Sequence, residues 1–151
     1  MKITDFIKDN ILLLDGATGS LLMKKGFPSG KRSESANISC PELLVEIHKA
    51  YYDAGSNSVT TNTFGANSLY YSDEELETII RKGIENVRKA AELSSGKQQK
   101  FIAYDMGPTG KLLKPYGELD FEYAVELFGK QARLAEKYGA DYIMIETFND
   151  G

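Results

Sequence analysis

The chain has 151 residues, 42% apolar and 26% charged, which excludes disorder and low complexity and suffices for one domain over residues 1–151 with a buried core. The 18 Lys+Arg against 22 Asp+Glu leave a net charge of -4 with no basic run, arguing against a nucleic-acid partner. One cysteine, Cys40, and one histidine, His48, give neither an internal disulfide nor a self-contained Cys/His metal set, and no apolar run nears the ~18 residues of a membrane span. Asp5, Lys8 and Asp9 interrupt any signal-peptide core, so a cytoplasmic setting with no membrane contact is expected.

In chain order, residues 11–14 read as a first strand, and a short helix starts near Thr18 with Leu21, Leu22 and Met23. Pro41 opens a helix whose stripe is Leu44, Ile47, His48 and Tyr51, closed by Gly55. Residues 59–61 form the second strand. Ser72 and Glu75 have capping-box spacing ahead of Leu76, Ile80, Ile84, Val87 and Ala91, a face that ends at Gly96. Residues 101–104 form the third strand. Asp120 caps a last helix with the stripe Phe121, Val125, Phe128, Ala132 and Ala135, which ends at Gly139 before a fourth strand over residues 142–145. The strands are near-continuous apolar runs, as in a parallel sheet covered on both faces.

An internal echo supports repeated β/α units. Gly55, Asn57, Val59, Asn62, Thr63 and Phe64 recur as Gly139, Asp141, Ile143, Glu146, Thr147 and Phe148, at an offset of 84 residues. Such units build either an open doubly wound sheet or a (β/α)8 barrel, and periodicity does not choose between them. A complete barrel takes about 250 residues, so a chain of this length holds only half of a barrel's strands: four parallel strands with intervening helices.

In either fold the ligand meets the carboxyl ends of the strands. The residues just past the four apolar runs are Asp15, Asn62, Asp105 and Glu146. Three acids at one rim suit a small ligand bearing a cation such as an ammonium, although Asp at a strand end also serves as a helix cap. The loop Asp15, Gly16, Ala17, Thr18, Gly19 allows a tight turn whose N–H groups can meet an anion; it is neither a Walker loop nor a dinucleotide fingerprint. Gly107, Pro108, Thr109 and Gly110 turn the chain at the same rim. His48, on an apolar stripe, reads as a packed core residue, and Cys40, ahead of Pro41, as a buried or capping thiol. Tyr70, Tyr71 and Tyr116 fall in loops after the second and third strands, as candidates for a lid or a surface that binds another domain.

Four segments taken together resemble a known family: residues 15–19 (DGATG), 61–67 (TNTFGAN), 106–111 (MGPTGK) and 145–148 (IETF). They occur in the order and spacing of the homocysteine-binding domain of homocysteine S-methyltransferases, and the chain is similar above all to the amino-terminal region of the cobalamin-dependent methionine synthases. The resemblance implies a (β/α)8 barrel and transfer of a methyl group to a zinc-bound homocysteine thiolate, giving methionine. The methyl donor in such proteins is methylcobalamin on another domain, or betaine or S-methylmethionine. Carried over, Asp15 and Glu146 receive the substrate ammonium, Gly16, Ala17 and Thr18 approach its carboxylate, Asn62 lies near the substrate and Asp105 supports the pocket. The family's zinc is held by three cysteines from later barrel strands, and nothing up to Gly151 supplies them.

Three readings follow: the front half of a homocysteine methyltransferase, inactive alone and completed by a partner domain or chain; a non-catalytic amino-acid-binding or scaffold half-barrel; and an open-sheet phosphate binder using the Gly16–Gly19 loop. A half barrel leaves bare strand edges, so homo-oligomers paired through those edges are expected.

Overall fold

The computed structural model describes residues 1–149. Three strands, β1 (Ser58–Thr60), β2 (Phe101–Met106) and β3 (Tyr142–Ile145), form a parallel sheet in the order β1-β2-β3. Before β1 come α1 (Ile3–Phe6), α2 (Thr18–Lys24), a 3-10 turn (Ser33–Ser35), α3 (Ala36–Ser39) and α4 (Pro41–Asp53). The crossovers are α5 (Asp73–Leu93) and α6 (Phe121–Tyr138).

The expected four strands are thus corrected to three. Residues 11–14 lie beside β1 but form only one parallel bridge, Leu14 to Ser58. The cause is local: the Leu13 N–H donates to the Asn57 side chain at 3.1 Å, and the Leu13 carbonyl takes both the Asn57 and Ser58 N–H groups. Ile11, Leu13 and Leu14 also stay exposed, so no apolar cover draws the segment into regular pairing.

Consecutive strands are neighbours in space, and α4 packs on α5, which packs on α6. The helices therefore share one layer on one sheet face. A doubly wound sheet would reverse its strand order and carry helices on both faces; the described residues show the singly wound arrangement instead. The alternation of side chains along a strand then sorts residues between two faces. Val59, Ile102, Tyr104 and Met106 join Leu76, Ile80, Ile84 and Val87 of α5 in the main core. The Tyr104 hydroxyl donates to Gln131 Oε1 of α6 at 3.0 Å. Ser58, Thr60, Ala103, Asp105, Tyr142 and Met144 fall on the other face, where Ser58 Oγ and the Tyr142 hydroxyl meet at 2.7 Å. Tyr142 reaches across β2 because Ala103 between them is small.

A second cluster, Leu22, Phe27 and Ala36 against Leu44 and Ile47, anchors α2 to α4 and so fixes the loop entering α2. The capping box of α5 is formed, with Ser72 N–H donating to Glu75 Oε2 at 2.9 Å and Glu75 N–H to Ser72 Oγ at 3.3 Å. The internal echo is structural. Gly55 (φ +107°) and Gly139 (φ +84°) both turn the chain out of a helix in the left-handed region. Two residues later Asn57 takes the Leu13 N–H and Asp141 takes the Ile102 N–H, each tying the incoming strand to its preceding neighbour.

The α6 face differs from the apolar stripe read in the sequence. Ala124, Leu127, Gln131 and Ala135 are buried, while Phe121 and Val125 are exposed. Gln131 turns inward to meet Tyr104, a polar pairing that apolar periodicity does not register. Asp120 precedes α6 without capping it through its side chain, which pairs with Lys114 at 2.8 Å.

Candidate functional site

A cavity of about 450 Å³ opens at the carboxyl ends of the strands. Asp15, Gly16, Ala17, Thr18, Asn62, Asp105 and Glu146 all line it, so residues distant in sequence converge on one space. Among the described residues no Lys, Arg or His side chain lines it.

Asp15 follows the Leu14 bridge and is held by β1: its Oδ2 accepts from the Thr60 N–H and the Thr60 hydroxyl, both at 2.9 Å. Burial nevertheless raises its pKa against those bonds, and the negative charge of Glu146 adds to the rise. Asp105 lies inside β2 rather than just past it and is 6% exposed. Its backbone is gripped by two hydroxyls: its N–H donates to Thr61 Oγ1 at 3.2 Å and its carbonyl accepts from Thr63 at 2.8 Å. Its Oδ1 is buried without a partner among the described residues. Burial first, then the neighbouring Glu146 and Asp15, push its carboxyl well above the ordinary range. Glu146, the first residue after β3, is exposed at the cavity mouth, and its N–H donates to the Met106 carbonyl at 3.3 Å.

The loop from Gly16 to Thr18 is braced from below, where the Tyr51 hydroxyl donates to the Ala17 carbonyl at 3.2 Å. Thr18 Oγ1 is buried and unpartnered among the described residues. Asn62 adopts φ +54°, and its amide nitrogen donates to the Ser33 carbonyl at 2.8 Å and to Asn37 Oδ1 at 3.2 Å. Asn37 in turn donates to the Thr61 and Asn62 carbonyls at 3.2 and 3.1 Å. The Asn62 side chain therefore secures the wall containing Ser33 and presents only its remaining surface to the cavity. Gly107 lets the loop after β2 close on the same wall, since a Cβ there would lie 2.4 Å from the Phe64 carbonyl.

Leu14, Phe64 and Met144 supply the apolar part of the lining. Thr60 and Met144 were legible in principle: stepping back two residues from Asn62 and Glu146 along strands of period two gives these inward positions. Ser33 carried no such signal, because an irregular segment and the Asn62 amide bring it in. Of the rim tyrosines, Tyr70 donates to the Thr109 carbonyl at 3.3 Å beneath the Arg32 guanidinium, which stacks 3.6 Å from its ring. Tyr71 donates to the buried Glu34 carboxylate at 2.9 Å. Among the described residues Tyr116, 89% exposed, has no such tie.

His48 is fully buried in α4, its two nitrogens unpartnered among the described residues, and burial lowers its pKa to about 3. Half-buried Cys40 is a free thiol that precedes α4 without capping it through its side chain. No group of three or more His, Cys, Asp or Glu among the described residues is arranged to hold a metal ion. These residues therefore do not fit the zinc that the resemblance implies. No helix among them is long and apolar enough to cross a membrane.

The chain is thus a singly wound parallel α/β protein with an acidic cavity at its strand ends. The chain belongs to the homocysteine S-methyltransferase family, whose model matches residues 12–151. Among curated relatives it is 29% identical to the methionine synthase of Mycobacterium tuberculosis (strain ATCC 25618 / H37Rv) over 97% of its own length, and 30% identical to that of Mycobacterium leprae (strain TN) over 78%. It spans only 13% and 10% of those proteins' lengths. Its fold matches the oxidized form of the Escherichia coli homocysteine methyltransferase MmuM with a TM-score of 0.79 at 24% identity, covering 93% of this chain and 55% of that one. The metallated form of MmuM gives a TM-score of 0.79 at 23% identity, with 94% and 56% covered.

Proposed function

We propose that the chain supplies the amino-acid cradle of a methionine-synthase-like homocysteine S-methyltransferase, as one domain forming the front half of a (β/α)8 barrel. The observation that carries this reading is the meeting of Asp15, Asp105 and Glu146 in a cavity that no basic side chain among the described residues lines. Such a cavity selects a cation. Asp15 and Glu146 receive the ammonium of homocysteine, and the N–H groups of Gly16, Ala17 and Thr18 face its carboxylate. Phe64 and Met144 flank the aliphatic stem, Asn62 holds the wall and Asp105 supports the pocket.

The residues of this chain bind and orient; the zinc that makes the thiol nucleophilic is held, in this proposal, by side chains outside the described residues. The methyl donor, methylcobalamin in the methionine synthases this chain resembles, is presented by another domain. A partner segment or chain completes the barrel along β3, where Ile143 and Ile145 remain exposed; a second copy docking by that edge would give a homo-oligomer.

A non-catalytic amino-acid-binding module is the second reading, favoured by the lack of a metal-holding group among the described residues. Calorimetric titration with L-homocysteine, L-methionine and L-leucine tests both. The enzyme reading expects the sulfur amino acids to bind and Asp15→Asn or Glu146→Gln to weaken them by about tenfold or more, the worth of a charge-assisted hydrogen bond. Adding a zinc-bearing complementary half should then yield methyl transfer. Equal binding of all three amino acids, with no transfer on complementation, supports the module, and no binding at all overturns both.

A further inference from the structure

Asp105 is used by neither the fold nor the proposed ammonium contact in full. Its backbone is tied to Thr61 and Thr63, and the side chain, 6% exposed, lines the cavity with its Oδ1 buried and without a partner among the described residues. The charged groups that face it are both acidic. Glu146 lies two residues past Met144, the register partner of Asp105, and therefore on the same side of the sheet edge, while Asp15 comes from the loop entering α2; all three line the one cavity. Arg32, next to the lining residue Ser33, offers no relief, because it pairs with Glu34 and stacks on Tyr70. In the empty cavity three ionised carboxylates would face one another with no counter-charge among the described lining residues. Carboxyl groups so placed share a proton rather than ionise together.

We propose that the empty cradle stores one proton between Asp105 and Glu146, and that an incoming ammonium takes its place, so that ligand binding releases a proton to solvent. The inference rests on the amino-acid reading above and adds a role for Asp105 as a positioning residue. Before binding, its carboxylic O–H donates to the Glu146 carboxylate and aims it at the cavity. On binding, the ammonium donates hydrogen bonds to Asp15 and Glu146 and keeps all its own protons; its charge takes over the neutralising role of the proton on Asp105, which leaves as solvent hydronium. No bond to carbon forms or breaks. Affinity therefore rises with pH until Asp105 ionises by itself in the empty site.

The test uses L-methionine as probe, because it has no thiol to confuse the proton count. Titration calorimetry of the full chain in buffers of different ionisation enthalpy, at pH 6 to 7, is expected to give release of about one proton per methionine bound, with affinity rising about tenfold per pH unit. Asp105→Asn keeps a donor toward Glu146 but cannot release a proton; it should bind with release near zero and a flat pH profile. Infrared spectroscopy of the ligand-free chain at neutral pH provides the second readout: a protonated carboxylic acid band present in the wild type and missing in Asp105→Asn. Methionine binding without proton release, or a pH slope retained in Asp105→Asn, overturns the inference and leaves the amino-acid reading standing. Failure of methionine to bind sinks that reading instead, and the infrared band still decides whether the carboxyl pair holds a proton.

Discussion

His48 and Asp105 titrate abnormally for the same reason, burial, but with opposite consequences for stability. His48 ordinarily has a pKa of 6.5 and is lowered to about 3 in the fold. The unfolded chain therefore binds a proton below pH 6.5 that the native state refuses, and stability falls on acidification by ~1.4 kcal/mol per pH unit. Asp105 is raised from 3.8 to about 8. Here the native state holds the extra proton; its stabilising effect is complete below pH 3.8 and is lost as pH rises through about 8. Between pH 6.5 and 5 each contributes about 2 kcal/mol of change, and the two cancel. From pH 6.5 to 8 the Asp105 contribution dominates. Urea unfolding followed by circular dichroism should thus give wild-type stability that is level from pH 5 to 6.5 and declines by about 2 kcal/mol toward pH 8. His48→Leu should gain about 2 kcal/mol on going from pH 6.5 to 5, and Asp105→Asn should lose about 2 kcal/mol there while staying level above. The window stops at pH 5 because Glu75, Glu77 and Glu85, all held below the ordinary carboxylate range, begin to matter only at lower pH. Parallel pH curves for the three proteins would refute the assignment of burial as the common cause.

Three smaller perturbations check the scaffold. Ser72→Ala removes half of the α5 capping box and should cost about 1 kcal/mol in urea unfolding. Tyr104→Phe leaves Gln131 Oε1 without its donor inside the core, an expected loss of about 1–3 kcal/mol by the same measurement. Gly107→Ala drives a methyl group into the Phe64 carbonyl, so thermal unfolding should show a loss of about 1–3 kcal/mol, and methionine affinity should fall as the cavity wall shifts.

Much of the fold was legible because burial imposes a period. The helices beginning at Thr18, Pro41 and Asp73 carry strong apolar repeats or start signals, and the structure places them accordingly. The corner repeated at Gly55 and Gly139 was legible because the same hydrogen-bonding problem, anchoring the preceding strand, recurs and has an Asn in one case and an Asp in the other as its solution. The misreadings share a cause as well. Residues 11–14 have the composition of a strand, but pairing depends on what the neighbour offers, and Asn57 offers a side chain where a ladder needs backbone. On α6, a buried glutamine sits where an apolar residue was sought, because a tyrosine hydroxyl from the sheet required an acceptor.

The acidic rim was legible for a more general reason. A parallel sheet delivers the residue past each strand to one edge, so the identities of four side chains predict a shared environment before any distance is known. What the sequence withheld was the asymmetry among the acids. Asp15 is hydrogen-bonded by Thr60, Glu146 reaches solvent, and Asp105 is buried with an oxygen unpartnered among the described residues. That difference arises from depth: Asp105 lies within β2, where inward side chains are screened by strands on either side, whereas Asp15 and Glu146 lie beyond their strand ends. Depth is a property of the register between strands, here Asp105 opposite Met144, and register is fixed only when the strands pair. Three chemically similar carboxyl groups thus become one that is hydrogen-bonded at the wall, one that is exposed to solvent and one that is buried, through placement alone.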